Sequence, residues 1–144
     1  MLGPGWSCGA GSAKVSRRGS GGQQLHGGPF YGRVHGAVPF QDGRGFSSQV
    51  NFHWTLDDVA PGAGGFCLLP ASAKMKFPIP RPPTTSIDLP AVKHLTSPAG
   101  SIVFYEGGAT VHGVMGWRGT RERRMVLQSA GARTYSNGGL TARM

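Results

Sequence analysis

Polar and apolar residues alternate over Gln49-Val50-Asn51-Phe52-His53-Trp54-Thr55-Leu56. Val50, Phe52, Trp54 and Leu56 share one face, and Gln49, Asn51, His53 and Thr55 share the other. This period of two, rich in aromatic and β-branched residues, predicts a strand over 49–56. Asp57-Asp58-Val59-Ala60-Pro61-Gly62-Ala63-Gly64-Gly65 then turns the chain. Phe66-Cys67-Leu68-Leu69 is an unbroken apolar run stopped by Pro70, which reads as a short buried strand. Pro78, Pro80, Pro82 and Pro83 predict an extended loop, because each removes a backbone donor and disfavours helix before it. Further strands are predicted over 92–95, 101–105, 110–114 and 124–129. No stretch carries a helical apolar period. Short strands separated by Gly/Pro turns predict an all-β sandwich or barrel.

The front of the chain breaks this pattern. Thirteen of the 25 glycines lie in the first 45 residues, and residues 1–24 contain no acid and no sustained periodicity. Ordering the backbone costs about 1–2 kcal/mol per residue, and this segment offers little apolar surface to offset it. Residues 1–24 are therefore expected to be disordered, with one β-barrel domain over 25–139 and a tail over 140–144. No apolar run approaches the length of a membrane-spanning helix.

Net charge is +9. Arg118, Arg121, Arg123, Arg124, Arg133 and Arg143 gather near the end against Glu122 alone. No Lys/Arg stripe interleaves with aromatics, so nucleic acid is not the expected partner. Cys8 and Cys67 make neither a disulfide framework nor a zinc pair. Cys67 reads as a small core residue, and the pair suits a reducing, intracellular compartment.

The candidate chemistry lies with the five histidines, His26, His35, His53, His94 and His112. His53 sits on the polar face of its strand, and His35 and His94 have no partner in sequence. His112 stands in Ala109-Thr110-Val111-His112-Gly113, with Arg123 eleven residues later at the start of the next strand. A non-haem iron oxygenase needs two imidazoles and a carboxylate on one face of the metal, leaving room for a 2-oxo acid and dioxygen. The far carboxylate of the 2-oxo acid needs a buried cation, and arginine supplies one with fork geometry. The spacing alone is a weak motif.

Four ordered segments resemble the phytanoyl-CoA dioxygenase family. They are NFHWTLDDVAPGAGGFCLLPASAK, SPAGSIVFYEGGATVHG, the GVMGW that follows the histidine, and RERRMVLQSAGA. Gln24-Leu25-His26-Gly27-Gly28-Pro29 fits the place of the family's first metal histidine. The resemblance covers residues 25 to about 139. It implies a double-stranded β-helix, a jelly-roll or cupin-like barrel, seen here without the helices and first strand that precede it. It implies iron(II), 2-oxoglutarate and dioxygen, with hydroxylation of a small-molecule or lipid-like substrate. His26 and His112 are then the metal ligands and Arg123 the 2-oxoglutarate anchor. Arg124 is the fallback, because a one-residue slip exchanges strand faces.

Three positions depart from the family pattern. The motif His-x-Asp has Gly28 in place of the acid, the "PGSH" segment reads Pro70-Ala71-Ser72-Ala73, and the "AGD" turn reads Ala99-Gly100-Ser101. Loss of the carboxylate leaves the metal one protein ligand short. Asp42 or Glu106 could fill the gap, although Asp42 before Gly43 is also an ordinary turn residue. A halide there is the halogenase-like alternative, and a truncated, non-catalytic barrel is another.

Overall fold

The computed structural model describes residues 6–27, 40–41, 44–45, 49–75 and 89–132. Strands β1 (Trp6–Cys8), β2 (Ser12–Ser16) and β3 (Gln23–His26) come first, then a short pair, β4 (Phe40–Gln41) and β5 (Arg44–Gly45). After these come β6 (Gln49–Thr55), β7 (Gly65–Leu68), β8 (Lys93–His94), β9 (Ile102–Glu106), β10 (His112–Met115) and β11 (Arg123–Ala132). The larger sheet runs β1-β11-β6-β9, with β2 also on β11, and the smaller runs β3-β10-β7-β8. All of these pairings are antiparallel. This is the expected all-β architecture, a cupin-like β-sandwich. Among the described residues the helical content is one 3-10 turn, Ser72–Lys74.

The expectation that residues 1–24 stay outside the fold is corrected over the described part of that segment. β1 and β2 lie end to end along one edge of β11, pairing Trp6–Cys8 with Ala130 to Ala132 and Ser12–Ser16 with Leu127 to Arg123. The turn after β2 is tied down by Trp117, whose N–H donates to the Ser20 carbonyl at 3.2 Å and whose carbonyl accepts from Gly19 N–H at 3.0 Å. An exposed ion pair, Arg17 Nε to Glu122 Oε1 at 2.7 Å, closes the same corner. Edge strands are held by main-chain hydrogen bonds, so Gly and Ser serve there without an apolar pattern. The proline loop, Asp42 and residues 133–144 lie outside the described residues, as does Gly28.

β6 carries the predicted alternation, but only its start keeps the expected apolar face inside, with Val50 2% exposed; toward Thr55 the faces are used the other way round. Asn51, His53 and Thr55 are buried toward the interior, whereas Trp54 and Leu56 are 42% and 52% exposed. In the same register Ile102 and Phe104 of β9 point outward, and Phe104 packs on Phe52 with ring centroids 5.4 Å apart. The apolar cluster of Leu25, Cys67 and Val111 lies on the smaller sheet, backed by Leu69, Val92 and Met115. Cys67 is fully buried, and burial pushes its thiol up to about 11. Cys8 is exposed, and both cysteines are free thiols.

Ala71 adopts φ 61, the left-handed region, where the resembling motif carries glycine. A Cβ there costs about 1–2 kcal/mol. Ala71→Gly relieves it at the expense of some unfolded-chain entropy. The variant is expected to be more stable by roughly 0.5–1 kcal/mol, read as a higher urea midpoint at unchanged slope.

Candidate active site

A cavity of about 890 Å³ lies between the sheets, lined by residues of both. His26 and His112 meet on its wall from the smaller sheet. They are register partners across β3 and β10, with ring centroids 4.2 Å apart and planes tilted by 56°. His26 Nδ1 donates to the Gln24 carbonyl at 2.8 Å, and His112 Nδ1 donates to the Thr110 carbonyl at 2.8 Å. A carbonyl can only accept, so both rings carry a proton on Nδ1, and the neutral His112 ring keeps its lone pair on Nε2. A backbone partner of this kind fixes the tautomer and orientation of a metal-binding histidine. The rings can approach because Gly27, at φ +82, has no side chain. A Cβ there would sit 2.6 Å from the Thr110 carbonyl oxygen and 3.2 Å from His112 Nδ1.

His112 is also held from behind. Ser72, 1% exposed, accepts the Val111 N–H at 2.8 Å, and the Val111 carbonyl accepts from Leu69 N–H at 3.0 Å. Of the altered motif Pro70-Ala71-Ser72-Ala73, the serine is the residue that anchors the strand carrying His112.

Arg123 is buried at 4% exposure and lines the same cavity from β11. Its guanidinium lies over Gly65, where a Cβ would come within 3.3 Å of it, and 6.0 Å from the Trp117 ring centroid. Desolvation pulls its pKa down. Arg124 points to the opposite side, donating to Asp57 from Nε at 3.0 Å and Nη2 at 2.6 Å on the surface. That contact holds the Asp57 carboxyl down near 2.

Residues that sequence reasoning did not single out complete the wall. Asn51 Nδ2 donates to the Tyr105 hydroxyl at 3.2 Å, and that oxygen lies 3.0 Å from His53 Nε2. Burial raises the Tyr105 phenol to about 12, so it stays protonated. His53 packs edge-on against Phe66 at 4.7 Å, and Tyr105 packs against His112 at 4.7 Å. The available signal was parity: Asn51 and His53 share a strand face, and Asn51 is the register partner of Tyr105.

Glu106 does not join the histidines. It has the same strand parity as the outward Ile102 and Phe104 and does not line the cavity. Among the described residues no group of three His, Cys, Asp or Glu side chains could hold a metal. His35 lies outside the described residues, and His94 contacts the Gly64 carbonyl instead.

His53 and His112 are both pushed down to about 4, first by desolvation. Arg123 and then His112 add to the effect at His53; at His112 the bond to the Thr110 carbonyl opposes it and His26 adds to it. Between pH 6.5 and 4 the unfolded chain takes up protons that the folded one refuses. Stability of the metal-free protein is thus expected to hold above pH 6.5 and fall steadily toward pH 4. The loss is about 3 kcal/mol for each histidine at most. Urea unfolding at pH 7.5, 5.5 and 4 measures it, and Asp57 adds its own loss only below about pH 4.

No protein-family model matches the sequence, and no curated protein does. Solved structures match in fold. HygX from Streptomyces hygroscopicus with iron bound aligns at TM-score 0.74 and 21% identity over 92% of this chain and 61% of its own. HygX with nickel, 2-oxoglutarate and hygromycin B bound aligns at 0.71 and 18%, over 92% and 59%. AviO1 from Streptomyces viridochromogenes Tue57 aligns at 0.59 and 15%, over 96% and 54%. The chain is similar in fold to HygX. It spans about three-fifths of the length of that protein. Among the described residues no helix is long and apolar enough to cross a membrane.

Proposed function

We propose that this chain is an iron(II)- and 2-oxoglutarate-dependent dioxygenase of the phytanoyl-CoA dioxygenase type, hydroxylating a small-molecule substrate. The observation that carries the reading is the paired imidazoles of His26 and His112, each held through Nδ1 by a backbone carbonyl, beside a buried Arg123 in one cavity. His26 and His112 would hold the metal, and Arg123 would hold the far carboxylate of the 2-oxo acid. Iron(II), with a 2-oxo acid and dioxygen, supplies the oxidising power for C–H hydroxylation as the 2-oxo acid loses carbon dioxide.

The chain's own part is binding and exclusion of water. A neutral His112 enters the site with its lone pair available at neutral pH, because burial holds its pKa near 4. Arg123 is a fixed charge that no described carboxylate in the cavity neutralises, so it favours a dicarboxylic 2-oxo acid over a monocarboxylic one. A cavity of about 890 Å³ suits a co-substrate together with a small organic substrate. HygX, with iron in one structure and nickel and 2-oxoglutarate in another, is consistent with this assignment.

A second reading rests on Gly28. No third acid joins the two histidines among the described residues, which leaves a position that a halide could take, as in iron halogenases. Both readings share one first test. Iron(II) and 2-oxoglutarate added without oxygen should give the visible charge-transfer band of a chelated 2-oxo acid. Absence of the band overturns both, and a shift of the band on adding chloride selects the second.

A further inference from the structure

Among the described residues, three buried polar atoms of the larger sheet have no hydrogen-bond partner: Asn51 Oδ1, His53 Nδ1 and Arg123 Nε. Burial without a partner costs about 1–3 kcal/mol for a neutral group and more for a charged one. All three residues line the main cavity, and His53 and Arg123 also share a smaller recess beside Phe66. Orphan groups gathered on one wall of a cavity indicate a ligand that would pair them.

The proton positions on this wall follow from the hydrogen bonds. Asn51 Nδ2 donates to the Tyr105 oxygen, so the single hydroxyl hydrogen goes to His53 Nε2, the acceptor 3.0 Å away. Nε2 is then the unprotonated nitrogen of a neutral ring, and Nδ1 carries the hydrogen. The orphan His53 Nδ1 is therefore an N–H donor, as is the orphan Arg123 Nε. The two flank one short segment of β7: the guanidinium lies over Gly65, and the imidazole packs on Phe66 with centroids 4.7 Å apart. Two buried donors, one of them charged, with no aspartate or glutamate among the described cavity residues, call for an anion with two acceptor oxygens.

We propose that His53 is a positioning residue that, with Arg123, holds the far carboxylate of the 2-oxo acid, its Nδ1–H taking one oxygen and the guanidinium the other. This rests on the oxygenase reading above. Asn51 and Tyr105 set the tautomer, so the chain of donors runs Asn51 to Tyr105 to His53 to the ligand. A neutral donor beside a charged one adds specificity for a carboxylate without a second buried charge.

The test uses the full chain with zinc(II) in place of iron, so that nothing turns over. Calorimetry measures binding of 2-oxoglutarate and of 2-oxopentanoate, which lacks the far carboxylate. His53→Phe removes the donor. His53→Gln keeps a group for Tyr105 but none at Nδ1, and His53→Asn puts an amide nitrogen where Nδ1 stood. Loss of a hydrogen bond to a charged group weakens binding roughly 10–100-fold. That loss is expected for 2-oxoglutarate in the Phe and Gln variants, with 2-oxopentanoate unchanged and the Asn variant close to the parent. In nitrogen-15 spectra of the parent, His53 should carry its proton on Nδ1, and that signal should move when 2-oxoglutarate is added. Equal weakening of both acids, no weakening of either, or a proton found on Nε2 overturns the assignment. A parent that binds neither acid overturns the oxygenase reading and this assignment together. A parent that depends on Arg123 yet is indifferent to His53 overturns this assignment alone.

Discussion

Arg123→Met is expected to weaken 2-oxoglutarate binding by roughly 30-fold or more while leaving the ligand-free protein at least as stable as the parent. The two effects have opposite signs for one reason. In the ligand-free protein Arg123 is 4% exposed, its Nε is unpartnered, and no described carboxylate faces it across the cavity. An uncompensated buried charge is costly, and an apolar side chain of similar volume is often neutral or stabilising in its place. With the ligand bound, the same charge is paired. Removing one partner of a buried, hydrogen-bonded charge pair costs about 2–5 kcal/mol, or roughly 30- to several thousand-fold in affinity. Thermal unfolding without ligand and calorimetry with it read the two effects separately. Arg124→Ala is the control. It removes the surface contact to Asp57 and should cost stability a little, with no change in 2-oxoglutarate affinity. If Arg124→Ala weakens binding and Arg123→Met does not, Arg123 is not the anchor.

The strands that were legible are those marked by alternation or by a short apolar run between turns. Residues 49–56, 66–69 and 101–105 correspond to β6, β7 and β9 within one or two residues; 92–95 and 110–114 also correspond to β8 and β10, and 124–129 lies within β11. What alternation does not carry is which face is inside. Asn51, His53 and Thr55 were read as the polar face of a strand, and they are buried because the interior here is a cavity that needs polar groups. On the neighbouring apolar face Trp54 and Leu56 are exposed, while Val50 is buried. β1 and β2 were invisible for a different reason. They sit on the edge of β11 and are held by main-chain bonds, which leave no mark in the pattern of side chains.

The candidate site was legible only in part, and by a different route. The pairing of His26 with His112 over 86 residues came from resemblance to a family, since nothing in periodicity links two such distant strands. Register is what brings them together, His26 lying opposite His112. The group Asn51, His53 and Tyr105 needed the register of β6 on β9 before its members could be seen as neighbours. Glu106 was a reasonable candidate at an even offset from His112. The intervening Gly107 and Gly108 break the strand, however, and the acid keeps the outward parity of Ile102 and Phe104.

Loss of either histidine should remove metal binding outright. A site that draws two imidazoles from the protein has no redundancy. His112→Ala or His26→Ala is expected to weaken iron(II) or zinc(II) binding by well over the roughly 10–100-fold that loss of a supporting outer-shell group costs. Ser72→Ala is such a supporting change. It frees the Val111 N–H that Ser72 holds at 2.8 Å and should fall within that smaller range. Gly28→Asp should act in the opposite direction. It restores His-x-Asp two residues beyond His26, and a carboxylate joining two imidazoles completes the ligand set that iron(II) oxygenases use. Metal affinity in the Gly28→Asp variant should therefore rise, and the rise should vanish when His26→Ala is added, because the new carboxylate would then have lost the neighbour that places it. Equilibrium dialysis of the single and double variants measures this as a coupling. A gain from Gly28→Asp that survives removal of His26 means the acid recruits metal by charge alone. No change from Gly28→Asp or from His26→Ala, with His112→Ala still abolishing binding, means that His26 is not a ligand.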